Sequence, residues 1–420
     1  MQIRKKILIG AVTTSLFLVP GCLLGAEILT LEQAINNTIT ENPDLKVFGF
    51  EMRAQDSAIL QASLSPKPEL SIAVEDVMGT GVAQGLSGAQ TTISISWILE
   101  GELRQHRIDA ARTGSMVLAS DASVMRLDAA AQTAREYTNA MSLQARLELA
   151  QQAVDLATDT VAMINQRVTA GTAPRTELAR ARAELSMREL ILEDLQHELI
   201  GSLHRLAAQW GELDPEFDRV EGNLMNLPTV ERFSTLEKRV AQNPDLQRFL
   251  SVQRLYESTL QLEQARKDTP WRFNAGVRRL ESSSDVGFTA GVTIPLNRGN
   301  LNQGRIDEAR IRLEQTKARE EAERIRVMTS LFLFHQELEH SLHIAKALQN
   351  NVIPEYEQAL SEITRAYELG GSSYMEWLQV QNDLLSAREE LVKASTLAHR
   401  NIIEIERLTS VRISQAQSAE

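Results

Sequence analysis

The sequence predicts a mainly α-helical protein with a small β part, built as a tandem duplication. Three observations lead to this fold class: phrases that recur at a nearly constant spacing, long heptad-patterned stretches, and pairs of alternating segments. The composition agrees, because aromatic residues make up only 5% of the 420 residues. The formal net charge of −12, without a basic stripe, argues against nucleic-acid binding.

Residues 1–26 have the pattern of a signal peptide, with basic residues at 4–6 followed by an apolar run at 7–19. That run is too short to span a membrane as a helix, so we expect an exported protein. Two cleavage positions fit the sequence. Cleavage before Cys22 would leave a lipidated N-terminus, and cleavage before Glu27 would leave an unmodified one. Cys22 is the only cysteine, which excludes an internal disulfide and a thiolate metal site.

The duplication follows from phrases that appear twice. Three of them return at offsets of 198 to 201 positions: RIDAAR at 107–112 as RIDEAR at 305–310, NPDL at 42–45 as NPDL at 243–246, and the segment from Gly171 as the segment from Gly370. A nearly constant offset over such a distance indicates tandem copies. We therefore predict a first repeat at 27–228 and a second at 229–420.

Each repeat is predicted to begin with short helices and to continue into two strands. In the first repeat the helices fall at about 31–41 and 44–65, and Pro66 and Pro68 stop the second. The strands are predicted at about 68–77 and 91–99, and at 271–280 and 286–296.

These four segments alternate between apolar and polar residues, so each strand has one apolar face. Their lengths also suit the strands of an outer-membrane barrel. A single hairpin packed on a helix is the other reading. Because an exported chain has two such hairpins, we favour the interpretation of all four segments as membrane strands.

Two long helices are expected to follow the strands of each repeat, at 102–169 and 174–211 and at 303–369 and 373–410. Their apolar residues keep heptad spacing, as in Leu178, Leu185 and Leu192, which is typical of coiled-coil packing. At about 1.5 Å per residue the first helix would be on the order of 100 Å long.

Four strands cannot span a membrane alone, because two open edges would leave backbone groups without partners in lipid. Other copies of the chain must close the barrel. Two copies would give eight strands and a filled interior, whereas three copies would give twelve strands and room for a pore. The polar strand faces, with Glu75, Arg272 and Arg278, suit a wet lumen.

These features resemble the TolC family of outer-membrane efflux proteins over nearly the whole exported chain. The residues that carry the resemblance are Leu31–Ala34, Asn42–Leu45 and Ile294–Gly299. Leu99–Arg104 is similar to a segment of the cobalt–zinc–cadmium branch, although that branch's glycine pair and lysine are not intact here. The resemblance implies a homotrimer with a twelve-stranded β-barrel continued by a periplasmic α-helical barrel.

The same resemblance implies an outer-membrane channel of a tripartite efflux system in a Gram-negative bacterium. It would extend into the periplasm and receive cargo, metal cations by likeness to the branch, from a periplasmic adaptor and an inner-membrane proton-driven pump. A periplasmic adaptor and a non-transport coiled-coil protein are the alternatives. Two tandem hairpins argue against the adaptor, and four membrane strands argue against the coiled coil.

The resemblance also places site residues at the periplasmic tip. The turns expected to meet the adaptor are Gly171, Thr172, Ala173 and Pro174 in the first repeat and Gly370, Gly371, Ser372 and Ser373 in the second. The entrance constriction and its closing network are assigned to Glu376, Gln379, Glu177, Tyr367 and Arg175. Ser372 stands where the family has an arginine, which weakens that network, and Arg175 is the candidate replacement. Ordinary helix punctuation and solvated polar residues are the competing explanation.

Catalysis and cofactor binding are not expected, because no P-loop, G-x-S-x-G or H-E-x-x-H motif occurs. His340 and His343 lie three residues apart on one predicted helix, with His335 and Glu339 nearby. We interpret these residues as solvated polar side chains and predict no metal site.

Overall fold

A computed structural model describes residues 27–267, 270–296 and 299–410 of the chain. The signal peptide with Cys22 and both cleavage positions, residues 297–298 of the Ile294–Gly299 motif, and residues 411–420 lie outside this part. Signal cleavage and lipidation therefore stay predictions.

The first repeat contains four helices and four strands. In chain order these are β1 (Glu27–Leu29), α1 (Leu31–Glu41), α2 (Pro43–Ser63), β2 (Glu69–Glu75), β3 (Gln90–Leu99), α3 (Leu103–Thr169), α4 (Arg175–Ala207) and β4 (Phe217–Val220). Short 3₁₀ turns occur at Gly81–Ala83 and at Ala208–Trp210. The helices α3 and α4 pack against each other as an antiparallel hairpin, with Leu143, Ala150 and Leu195 in its core.

The second repeat also runs from two short helices through two strands to long helices, but its described residues have no counterparts of β1 and β4, and its first long helix is divided. Its elements are α5 (Phe233–Val240), α6 (Pro244–Ala265), β5 (Trp271–Leu280), β6 (Asp285–Thr293), α7 (Gln303–Ala347), α8 (Ile353–Glu368) and α9 (Tyr374–Thr409). A π-helical turn, Leu348–Val352, joins α7 to α8. Pro354 is the second residue after this turn, and because proline has no N–H to donate, the helix accommodates it by a local widening.

Four strands form one antiparallel sheet in the order β2-β3-β5-β6. The central pair β3 and β5 joins the two repeats, with Gln90 opposite Leu280 and Leu99 opposite Trp271. The strands β2 and β6 are the two edges of the sheet.

The register places most apolar positions of the four strands on one face, whereas Ala73, Ile98 and Leu280 lie on the other. Ile72, Ile93, Val277 and Phe288 lie in one cross-strand row, and Phe288 is 92% exposed. The opposite face is polar and carries Glu69, Glu75, Arg272 and Arg278.

A buried core lies beyond the sheet, around the middle of the long helices. It combines α1, the central part of α3 and the end of α4 with β4, which pairs in parallel with β1. Tyr137, 1% exposed, donates its hydroxyl to the carbonyl oxygen of Leu29 at 3.0 Å. A second cluster packs α5 against α7 and α9.

Several element ends differ from the sequence prediction for identifiable reasons. The first membrane strand is Glu69–Glu75 instead of 68–77, because Pro68 has no N–H and Asp76 adopts a φ of 55°. The last is Asp285–Thr293 instead of 286–296, since Pro295 cannot donate to the ladder. The predicted helix 303–369 is interrupted by the π turn, and the parallel pair β1–β4 was not predicted.

Candidate functional site

The two helical hairpins end in matching turns. Two residues after the end of α3 lies Gly171, whose φ is +72°, and two residues after the end of α8 lies Gly370, whose φ is +79°. The N–H of Thr172 donates to the carbonyl of Arg167 at 2.8 Å, and the N–H of Gly371 donates to the carbonyl of Ala366 at 2.8 Å. Both are Schellman-type caps that satisfy the free carbonyl groups of a helix end. All of the predicted adaptor-contact residues therefore lie in exposed or half-buried turns at one end of the molecule.

A reciprocal cap begins α9 at Ser373. Its hydroxyl accepts from the N–H of Glu376 at 3.3 Å, and the Glu376 carboxylate accepts from the Ser373 N–H at 2.8 Å. The Ser373 N–H, together with the Ser373 hydroxyl, which lies 2.9 Å from the same carboxylate oxygen and donates to it, lowers the pKa of Glu376, so its exposed carboxylate stays ionised. The candidate constriction residue is thus turned toward the N-terminus of its own helix. Gln379 lies exposed one turn further and donates to Asp383 at 2.8 Å.

An aromatic cluster lies directly behind this cap. Tyr367, Tyr374 and Trp377 are each 2% exposed, and the Tyr367 and Trp377 rings stack with centroids 5.1 Å apart. Trp377 donates its indole N–H to Thr364 at 2.9 Å. The cluster also includes Ile164 of α3 and Ala181 of α4, so it fixes the two hairpins to each other.

Tyr367 connects the second hairpin to the first through its hydroxyl. It donates to the Glu177 carboxylate of α4 at 2.9 Å. Burial, followed by this hydrogen bond, raises the pKa of Tyr367 to about 12. The phenol therefore keeps its proton at neutral pH and remains a donor.

An arginine outside the predicted set of site residues completes the contact. The guanidinium of Arg167, in the last turn of α3, lies 4.4 Å from the centre of the Tyr367 ring and donates to the Tyr367 carbonyl. Arg175, the predicted replacement for the family arginine, is exposed at the start of α4. Ser372 is half-buried, with its hydroxyl 3.4 Å from the Ile363 carbonyl.

The histidines of α7 do not come together. His335 is buried, and its Nε2 lies 3.0 Å from the Glu231 carbonyl oxygen, whereas His340 and His343 are exposed. Within residues 27–267, 270–296 and 299–410, no cluster of three or more His, Cys, Asp or Glu side chains has the arrangement of a metal site. In the same part of the chain, no helix is long and apolar enough to cross a membrane.

Known proteins share this sequence pattern and this architecture. A family model described as "Outer membrane efflux protein" matches residues 34–212 and 238–410. The cobalt-zinc-cadmium resistance protein CzcC of Cupriavidus metallidurans is 29% identical over 86% of this chain and 85% of its own length. The nickel-cobalt-cadmium resistance protein NccC of Alcaligenes xylosoxydans is 23% identical over 72% of this chain and 69% of its own.

Three solved structures illustrate the same fold. CusC superposes with a TM-score of 0.74 at 16% identity, covering 90% of this chain and 91% of CusC. The outer membrane protein VceC of Vibrio cholerae gives 0.72 at 16%, covering 90% and 95%. The outer membrane channel MtrE of Neisseria gonorrhoeae gives 0.71 at 15%, covering 91% and 89%.

These findings confirm the predicted fold class and the predicted resemblance to the TolC family. They also confirm the predicted function in efflux through the outer membrane and a location there with a periplasmic extension. The adaptor and the coiled-coil alternatives do not agree with them. The chain belongs to the outer membrane efflux protein family.

Proposed function

We propose that three copies of this chain form one passive channel with a twelve-stranded barrel. The observation that carries this proposal is the four-stranded sheet, which has an exposed apolar face and two edge strands, β2 and β6. Backbone groups at such edges need partners in lipid, and pairing β6 of one copy with β2 of the next supplies them. The channel carries out no catalysis of its own, and the energy for export comes from its partners.

The oligomer can be tested directly. Purified protein in mild detergent should have the mass of a trimer, measured by light scattering with correction for bound detergent. It should also be recovered in the outer-membrane fraction of the cell. A monomer that is recovered in the water-soluble fraction would contradict the proposal.

We infer that the cargo is a divalent transition-metal cation. The support is the likeness to CzcC, a cobalt-zinc-cadmium resistance protein, over 86% of this chain. An organic compound is the competing cargo. Deletion of the gene should lower the tolerated concentrations of cobalt, zinc and cadmium salts, and restoring the gene should bring tolerance back. Unchanged metal tolerance together with increased sensitivity to organic toxicants would reverse this assignment.

We further propose that the tip turns dock a periplasmic adaptor, which itself contacts an inner-membrane pump. Thr172 and Ser373 are exposed at the hairpin ends and belong to the two different repeats. A Thr172→Arg substitution should abolish resistance without reducing the amount of trimer. Val82, 95% exposed in the connection between β2 and β3, provides the control as Val82→Arg. Equal loss of resistance in both variants would argue against docking at the tip.

The closing network is proposed to be Tyr367, Glu177 and Arg167. The Tyr367 hydroxyl ties α8 to α4, and Arg167 holds the same tyrosine from α3. Release of these contacts would let the second hairpin move away from the first and widen the entrance. Glu376 contributes an ionised carboxylate at the entrance, which favours cations.

A further inference from the structure

The polar face of the sheet carries two arginines toward opposite ends of β5. Arg272 and Arg278 are six residues apart, which corresponds to about 20 Å along a strand. Each arginine reaches over β3 to a glutamate of β2. Arg272 Nη1 lies 2.6 Å from Glu69 Oε2, and Arg278 Nη2 lies 3.3 Å from Glu75 Oε2.

Arg278 has two further contacts on the strand that it crosses. Its Nε donates to Thr92 Oγ1 at 2.9 Å, and its Nη1 donates to Gln90 Oε1 at 3.2 Å. Three acceptors on two strands therefore orient one guanidinium, which matches the forked donor geometry of arginine. This orientation holds the positive charge close to the Glu75 carboxylate.

The polar face between the two ion pairs carries only small or uncharged side chains. These are Ser71 and Ala73 on β2, Ser94 and Ser96 on β3, Asn274 and Gly276 on β5, and Thr289 and Gly291 on β6. Asp285, the first residue of β6, adds one acid at the loop end of the same face. Arg272 and Arg278 thus balance Glu69 and Glu75, Asp285 leaves one negative charge at the loop end, and the middle of this face is neutral.

Stability alone does not account for the pairs. The four side chains are between 38% and 64% exposed, and ion pairs of such exposure contribute little to folding. A ring of unpaired charges in a pore would exclude ions of the same sign and retain those of the opposite sign. We propose that the Arg272–Glu69 and Arg278–Glu75 pairs make the barrel lumen charge-compensated, so that it passes hydrated cations without binding them. This inference rests on the proposed trimer, in which each pair occurs three times.

The local potential of the lumen can be measured with a thiol placed between the pairs. Ser94→Cys lies in the neutral part of the polar face, and positively and negatively charged methanethiosulfonate reagents report the potential through their relative reaction rates. The purified detergent-solubilised trimer is used, with the protein that lacks the new thiol as background. The ratio of rates reports the electrostatic potential inside the barrel, and it does not depend on whether the periplasmic entrance is open.

The two members of each pair should shift the rates in opposite directions. Relative to Ser94→Cys alone, adding R272Q and R278Q should increase the ratio of positive-reagent to negative-reagent rates several-fold. Adding E69Q and E75Q should decrease the ratio several-fold. The variant with all four changes should return close to the starting ratio. Identical ratios in all four proteins would overturn the proposal.

Loss of the trimer is detected separately. Each variant is analysed for its trimer by light scattering before the rates are measured, and a parent protein that is not trimeric refutes the proposed assembly. A trimeric parent in which the thiol at position 94 does not react refutes the assignment of this face to the lumen.

Discussion

Tyr367 combines three interactions that belong to different helices. Its ring stacks on Trp377 of α9 and under Arg167 of α3, while its hydroxyl donates to Glu177 of α4. Only the hydroxyl bond can be removed without disturbing the stacked ring. This makes the residue suitable for separating closure of the entrance from packing.

We predict that Tyr367→Phe opens the periplasmic entrance. The change deletes one hydrogen bond to a charged acceptor and leaves the ring in place, so the free energy of unfolding should fall by only about 1–3 kcal/mol. The single-channel conductance in planar bilayers should rise, because the hairpins are no longer tied through Glu177.

Tyr374→Phe is the matched control for this experiment. Tyr374 is equally buried in the same cluster, and within the described part of the chain its hydroxyl has no hydrogen-bond partner. The single-channel conductance of the Tyr374→Phe variant should equal that of the unmodified protein. If both variants conduct alike, the Tyr367–Glu177 bond does not control the entrance.

Glu406 is an acidic residue on the buried face of α9. It is 6% exposed, and burial raises its pKa to about 8. The neighbouring charges are paired differently, since Glu404 meets Arg135 at 2.7 Å and Arg407 contacts both Asp128 and Asp245. The Glu406 carboxyl is therefore largely protonated in the folded protein at neutral pH.

The raised pKa predicts that stability decreases with increasing pH. Between pH 4.5, the ordinary pKa, and pH 8, the folded state binds more protons than the unfolded state, so unfolding becomes easier as pH rises. Glu406→Gln should remove this dependence and stabilise the protein at pH 8 by on the order of 2–4 kcal/mol. Melting temperatures at pH 5 and pH 8 measure the effect. Glu389→Gln, exposed on the same helix, is the control, and parallel pH profiles for Glu406→Gln and the unmodified protein would contradict the prediction.

At the level of elements, the repeated NPDL motif has the same structural role in both repeats, a helix cap combined with one tertiary hydrogen bond. Asn42 caps α2 by accepting from the Leu45 N–H at 3.0 Å, and its amide donates to the Gln209 carbonyl at 2.6 Å. Asn243 caps α6 by accepting from the Asp245 N–H at 2.7 Å, and its amide donates to the Leu408 carbonyl at 2.9 Å. Asn243 thus joins the start of α6 to the end of α9, and Asn42 joins the start of α2 to the 3₁₀ turn that follows α4.

Two substitutions at Asn243 should separate these tasks. Asn243→Ala removes the cap and a fully buried hydrogen bond, and should lower the free energy of unfolding by about 2–3 kcal/mol. Asn243→Ser retains a capping oxygen but cannot reach Leu408, so about 1 kcal/mol should be lost. Urea unfolding followed by circular dichroism gives both values. Equal losses would mean that the cap contributes nothing and that the contact with Leu408 accounts for the whole effect.

The periodicity of the sequence was sufficient for the long helices and the strands, because each has a continuous apolar stripe or face. It could not predict the pairing of β1 with β4, since both are very short and meet only through the tertiary fold. The π turn before Pro354 was also missed, because apolar spacing does not report a local change of helix type.

At the tip, only the site residues that match positions of the family could be predicted. Glu177 and Tyr367 are in contact as the family network implies, but Arg167 came from no motif. One signal could have indicated it: a basic residue in the last turn of α3, close to the Gly171 cap. Its stacking partner lies 200 positions away, and a single sequence does not contain that information.

For the whole molecule, the two faces of the sheet have opposite environments. Ile95 on the apolar face and Ser94 on the polar face are neighbours in β3. Ile95→Lys would place a charge in lipid and should destabilise the inserted barrel by about 2–4 kcal/mol for each copy. Ser94→Lys should be tolerated, because the lumen is wet. The two variants are compared by the amount of trimer in the outer-membrane fraction. Equal amounts would contradict the assignment of the faces.

The central pairing of β3 with β5 determines when the sheet can form. Gln90 meets Leu280 only after α3, α4, α5 and α6 have emerged between them. The helical hairpins need only local contacts and should fold early, whereas a pairing of such sequence separation forms slowly. We expect the exported chain to complete its helices first and its sheet last. The apolar face would then be assembled near its destination, and the edges would spend little time exposed to other chains in the periplasm.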